Sequence, residues 1–259
     1  MEPKNKVIVI TGGSGGIGSS MASAFLREGA EAVVISDLDS APVKACADTL
    51  GCDWRVCDVT DESQVQGLVD YVISKYGRVD VYCSNAGAAG SGSGVLTDAS
   101  NEIWQRQWDL HVMAHIYASR ALLPSMIDRG EGYFLITSSA AGLLAATGSG
   151  PYTVTKAAAI KFAECLSITH GDDGIGVAVL CPQGVATAMA PKSLGNGQTD
   201  GILEPETVAA VVIESMRDGR FHVLPHPEVE GYVRRKGDDI DRWLGGMRRL
   251  RRRSLDLQG

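Results

Sequence analysis

An α/β fold with a doubly wound parallel sheet is the class this sequence predicts, on three observations. Short apolar runs rich in Val and Ile recur along the 259 residues, helical patterns separate them, and turn residues mark each change of period. The runs fall at 6–11, 32–36, 54–57, 79–84, 132–137, 175–181 and 220–224, and read as strands. The clearest helix lies between the third and fourth, where Val65, Leu68, Val69, Val72, Ile73 and Tyr76 repeat at the spacing of one buried face. Such alternation implies right-handed crossovers, helices on both faces of the sheet, and ligand binding beyond the carboxyl ends of the strands. No Pro/Gly/Ser-rich linker divides the pattern, so residues 1–259 are expected to form one domain.

A content of 44% hydrophobic and 21% charged residues excludes disorder, collagen and coiled coil. The net charge of −7 argues against a general polyanion binder. It is unevenly spread, because residues 231–259 carry nine Lys/Arg against four Asp/Glu. No apolar run approaches the roughly 18 residues that span a bilayer, and Met1–Lys6 leads into a strand rather than a signal peptide. The expectation is a soluble, cytoplasmic protein with neither membrane nor nucleic-acid partners. Six cysteines without CxxC or zinc spacing predict free thiols and no metal site.

The loops after the strands carry the chemistry. The first strand ends in Thr11-Gly12-Gly13-Ser14-Gly15-Gly16-Ile17-Gly18, followed by a helix over Ser19–Arg27. Glycines there permit a tight turn, let backbone N–H groups approach a pyrophosphate, and leave the helix N-terminus to attract its charge. The second strand ends at Asp37, about 20 residues on, where a carboxylate can accept both ribose hydroxyls of an adenosine. Asp39 or Ser40, just before Pro42, is better placed to cap the next helix. No Lys or Arg stands in the glycine loop or just after Asp37 to pair with a 2′-phosphate, so NAD is expected over NADP. Asp58 and Val59 after the third strand, and Asn85-Ala86-Gly87 after the fourth, complete the adenine-side wall, although each also suits a turn.

TGGSGGIG (11–18), Asp58, SNAG (84–87), ITSSAAG (136–142), YTVTK (152–156) and CPQGVAT (181–187) stand in the order of the short-chain dehydrogenase/reductase family. The chain is similar to that family, in its single-domain Rossmann-type form, over roughly residues 5–225. Tyr-x-x-x-Lys occurs three times, at Tyr71/Lys75, Tyr152/Lys156 and Tyr232/Lys236. Only Tyr152/Lys156 has a serine, Ser139, at the end of the preceding strand, and the interval between Ser139 and Tyr152 is the family's. That interval leaves Ser138 a structural part. The resemblance implies a catalytic set in which Tyr152 is the acid/base, Ser139 orients the substrate oxygen, and Lys156 both favours tyrosinate and holds the nicotinamide ribose. Pro182, Gly184, Val185 and Thr187 would contact the nicotinamide end, Thr187 at the nicotinamide carboxamide. Self-association into dimers or tetramers, through the helices holding 104–123 and Tyr152, is likewise implied.

Two positions depart from the family pattern. Aligning Trp104 and Pro124 puts His111 where the family places the asparagine of a proton relay. His111 is then either a packed helix residue or a relay member whose titration adds an acid-side inflection to the rate. His115, one turn on, reads as core or interface. Gln183 stands where the family has glycine, and is open to facing the substrate. Residues 188–204 are polar and Gly-rich, as in a lid, and Met189, Leu143, Leu144, Trp104 and Tyr117 offer apolar surface. With Lys192 the one conspicuous cation there, the expected small-molecule substrate is a neutral, largely hydrophobic secondary alcohol or its ketone. Alternatives are a non-catalytic NAD-sensing module, or nucleic-acid or membrane-surface binding through the basic, helical segment 228–259.

Overall fold

The computed structural model describes residues 1–89, 96–146, 148–188 and 200–256, with residues 254–256 described through their backbone alone. Seven strands form one parallel sheet: β1 (Val7–Thr11), β2 (Ala32–Asp37), β3 (Asp53–Val56), β4 (Val81–Ser84), β5 (Gly132–Thr137), β6 (Ile175–Leu180) and β7 (His222–Val223). Their spatial order is β3-β2-β1-β4-β5-β6-β7. The order reverses between β1 and β4, which opens a crevice at their carboxyl ends. All seven expected strands are present, displaced by two residues or fewer at each end.

Each strand feeds both faces of the sheet, because alternate residues point opposite ways. Val7 and Val9 of β1 join Phe134 and Ile136 of β5 in one core, closed by α3 (Glu62–Tyr76), α5 (Ala114–Arg129) and α7 (Gly150–His170). Ile8 and Ile10 join Tyr133 and Leu135 in the other, closed by α1 (Gly16–Arg27), α2 (Ser40–Leu50) and α8 (Pro205–Asp218). At the rim opposite the crevice, α2, α3, α5 and α8 end on Gly51, Gly77, Gly130 and Gly219, all left-handed. Helix α1 begins at Gly16, three residues before the sequence pattern, because Gly15 is its extended N-cap. Asp39 is the N-cap of α2 by position, without a side-chain bond.

Three further helices shape the crevice: α4 (Asn101–Trp108), α6 (Ala140–Leu144) and α9 (Glu228–Asp238). A π turn, Asp109–Met113, joins α4 to α5 and carries His111. The described residues of the basic segment 228–259 form α9 and α10 (Ile240–Asp256). Residues 189–199 of the expected lid, with Met189 and Lys192, lie outside the described residues. Across them, Val185 and Leu203 bridge in parallel. Among the described residues, no helix is long and apolar enough to cross a membrane.

Candidate active site

The glycine turn is fixed by what surrounds it. Gly12 has φ +63°, and a Cβ there would lie 2.8 Å from Ala86 Cα; one on Gly18 would lie 2.2 Å from Gly12 O. Neither position tolerates a side chain, so the turn stays low and the N-terminus of α1 faces the crevice with no acidic residue in its first turn. A Cβ on Gly16 would sit 2.7 Å from Thr187 Cγ2, which puts Thr187 against the same turn. Ile17 packs beside the core. Asp37 reaches back to the loop: its Oδ2 accepts from Ser14 N (3.1 Å) and Ser14 Oγ (2.5 Å), and its Oδ1 from Leu38 N (2.9 Å). These residues fit a dinucleotide, with the bare helix end at its phosphates and Asp37 at its adenosine ribose.

The neighbouring wall is held from within. Asn85 Nδ2 donates to Thr11 O (3.0 Å) while its Oδ1 accepts from Thr137 Oγ1 (3.0 Å), so this side chain ties β1 to β5. The Asn85 and Ala86 N–H groups both donate to Thr11 Oγ1. Asp58 Oδ1 accepts from Thr60 N and Oγ1, a turn role for that oxygen, and Val59 is buried.

Ser139, Tyr152 and Lys156 converge at the end of β5. Ser139 caps α6, its Oγ accepting from Ala141 N (3.1 Å) and lying 3.4 Å from Pro182 O as a donor. Tyr152 occupies the first turn of α7, and Lys156 the next. Lys156 Nζ donates to Thr137 O (2.8 Å) and stands 5.7 Å from the centroid of the Tyr152 ring. Burial raises the Tyr152 phenol above its ordinary range, against a lowering by the Ser139 hydroxyl. Burial lowers the Lys156 ammonium to about 8. Ser138 donates to Lys156 O (2.8 Å), fixing the helix rather than the site.

His111 lies with its ring edge-on to Tyr152, centroids 5.5 Å apart. Its Nδ1 is 3.1 Å from Thr155 Oγ1, which already donates its one proton to Pro151 O (2.9 Å) or Tyr152 O (3.1 Å). His111 therefore carries its proton on Nδ1, and Nε2 is an acceptor, taking Ala88 N–H at 3.3 Å. A Cβ on Gly87 would lie 3.4 Å from both His111 Nε2 and Lys156 Nζ, so the two nitrogens border one point. Burial pushes the imidazole down to about 2, with Lys156 nearby adding to the shift. Burial thus favours the neutral ring, against the acid-side inflection expected of His111 as a relay member. Burial likewise lowers His115, hydrogen-bonded to Ser84, to about 3.

Gln183 does not face an open substrate site. Its Nε2 donates to Asp200 Oδ2 (2.7 Å), and its N–H to His226 Nδ1 (3.2 Å). Gly184 O and Val185 O are engaged by Leu203 N and Thr187 N. Of the other Tyr/Lys pairs, Tyr71 and Lys75 gather on Asp53. Tyr232 binds Asp200 (2.8 Å), and Lys236 binds Leu143 O. The sequence reading missed Thr155, Thr137, Asp200 and Tyr232. Of these only Thr155, a small polar residue one turn from Tyr152, left a local signal.

A family model described as short chain dehydrogenase matches residues 6–196. The 1-deoxy-11-beta-hydroxypentalenate dehydrogenase of Streptomyces exfoliatus is 30% identical, over 93% of this chain and 90% of its own. The meso-2,3-butanediol dehydrogenase of Serratia marcescens is 31% identical, over 80% and 86%. A short chain dehydrogenase/reductase from Burkholderia phymatum, crystallised in complex with NAD, superposes with TM-score 0.83 at 28% identity, over 93% of this chain and 96% of that one.

Proposed function

Because this chain belongs to the short-chain dehydrogenase family, we propose that it is an NAD-linked oxidoreductase interconverting a neutral, largely hydrophobic secondary alcohol and its ketone. The observation that carries this reading is the convergence of Ser139, Tyr152 and Lys156 at the mouth of the crevice that holds the glycine turn. Two of the similar enzymes are named for hydroxyl-bearing compounds, a hydroxypentalenate and a butanediol, which favours the same bond.

Ser139 Oγ, poised as a donor, turns its proton from Pro182 O to the substrate oxygen and fixes the carbinol carbon. Tyr152, which the protein alone holds as a phenol, gives its proton to that oxygen in reduction and takes it back in oxidation. Bound oxidised nicotinamide supplies the hydride acceptor and a positive charge that favours tyrosinate. Lys156 uses one N–H on Thr137 O and has two others for ribose hydroxyls. Neutral His111 stands beside Lys156 at the place of the family's asparagine, with Nε2 as a hydrogen-bond acceptor that orients neighbouring donors without itself being protonated. Asp37 binds the ribose hydroxyls and repels a 2′-phosphate.

The test is an NADH absorbance screen across cyclohexanol, 2-octanol, 1-phenylethanol, meso-2,3-butanediol and their ketones. Tyr152→Phe should retain NADH binding while turnover falls about 10²–10⁴-fold, the usual share of an acid/base group. Turnover close to that of the parent enzyme would remove Tyr152 from the role.

A further inference from the structure

We propose that Asp200 is a positioning residue for the substrate side of the site, tying the turn after β6 to α9 so that Ser139 is held in place. The inference rests on the alcohol–ketone reading above. Asp200 divides its carboxylate between two elements, Oδ2 accepting from Gln183 Nε2 (2.7 Å) and Oδ1 from the Tyr232 hydroxyl (2.8 Å). The Gln183 backbone is pinned in turn by buried His226, whose Nδ1 accepts its N–H. One residue earlier, Pro182 O accepts from Ala140 N (2.9 Å) and receives Ser139 Oγ. The path from α9 to the substrate hydroxyl's partner is therefore Tyr232, Asp200, Gln183, Pro182, Ser139.

Helix α9 meets the same wall a second time, where Lys236 Nζ donates to Leu143 O on the helix that Ser139 caps. Tyr232 and Lys236, one turn apart on α9, thus brace the turn and α6 together. The Arg235 guanidinium, 4.8 Å over the Tyr232 ring, holds that phenol from its open side. This explains the departure at Gln183: glycine there would have no side-chain amide to offer Asp200, and the tie from α9 to the turn after β6 would be lost. Asp200 touches neither the glycine turn nor Asp37, so its loss should leave the adenosine half of the cofactor's site unchanged and act where the turn after β6 meets the substrate.

Asp200→Ala, Tyr232→Phe and Gln183→Ala are compared with the parent enzyme, with cyclohexanol and 2-octanol as probes. Asp200→Ala should raise KM roughly tenfold, the size of one charge-assisted hydrogen bond, and lower kcat with it, because displaced Ser139 no longer orients the substrate oxygen, while NADH affinity changes little. Tyr232→Phe should raise it less, and adding Tyr232→Phe to Asp200→Ala should bring no further loss, because both remove one link. Unchanged KM, or NADH affinity falling in step with KM, overturns the proposal. If the parent enzyme turns over none of the alcohols and ketones of the screen above, the alcohol reading fails on its own. Amide hydrogen exchange of the NADH complex then decides for Asp200: faster exchange in 184–186 and 228–236 of Asp200→Ala supports the tie, and unchanged exchange overturns it.

Discussion

Two buried imidazoles should make this protein acid-labile, each by the same linkage. His111 and His115 are held neutral, at about 2 and about 3, whereas in the unfolded chain they titrate near the ordinary histidine value. Below that value the unfolded state binds protons that the folded state refuses, so stability is complete above it and drains away as pH falls. Between pH 7 and 5 each ring should remove about 2 kcal/mol, and His111→Asn should restore its share. Urea unfolding at the two pH values measures both, and equal losses in parent and variant would contradict the origin. Asp37→Ser should act on cofactor choice instead, narrowing the preference for NAD over NADP, because it removes the charge beside Ser14 while retaining a hydroxyl. Steady-state kinetics with the two cofactors checks this, and equal or better use of NADP by the parent enzyme would show the assignment wrong.

Asp80 shows how one side chain sets the register of elements. Only 2% exposed, it precedes β4 and accepts from Val7 N (2.8 Å) and Arg78 Nε (2.9 Å), while its carbonyl takes Tyr133 N–H. Asp80→Ala takes the acceptor from the buried Val7 N–H and one partner from Arg78, which keeps Glu31 and Asn5 O, and should cost about 1–3 kcal/mol in urea unfolding. Asp80 stands in an Arg-Val-Asp run that a reader of the sequence passes over, whereas the strands it joins are plain in their β-branched residues. The same contrast runs through the site. The glycine turn, Asp37 and Tyr152/Lys156 were legible because each is a local pattern at the end of a recognisable element. The ties of Asp200 to Gln183 and Tyr232, 17 and 32 residues away in sequence, arise only when the topology brings those elements together. The π turn at His111 has no apolar signature, since it changes the winding of a helix without changing which residues are buried.

At the scale of the molecule, apolar side chains remain on neighbouring helices: Trp108 of α4 is 40% exposed, and Val154 and Ile168 of α7 are 44% and 84% exposed. Together with the family resemblance they lead us to expect a dimer or tetramer, which sedimentation at micromolar concentration should record; a monomeric mass would refute it. The parallel sheet also divides the molecule into two rims with different tolerances. Every strand delivers its chemistry to one rim, while Gly51, Gly77, Gly130 and Gly219 end their helices at the other, with nothing within 4 Å of where a Cβ would stand. For an engineer that second rim is the seam of the protein. New termini, tags or inserted domains placed there leave each strand end and helix start that carries a site residue uncut, and variation during descent could lengthen those turns without touching the reaction.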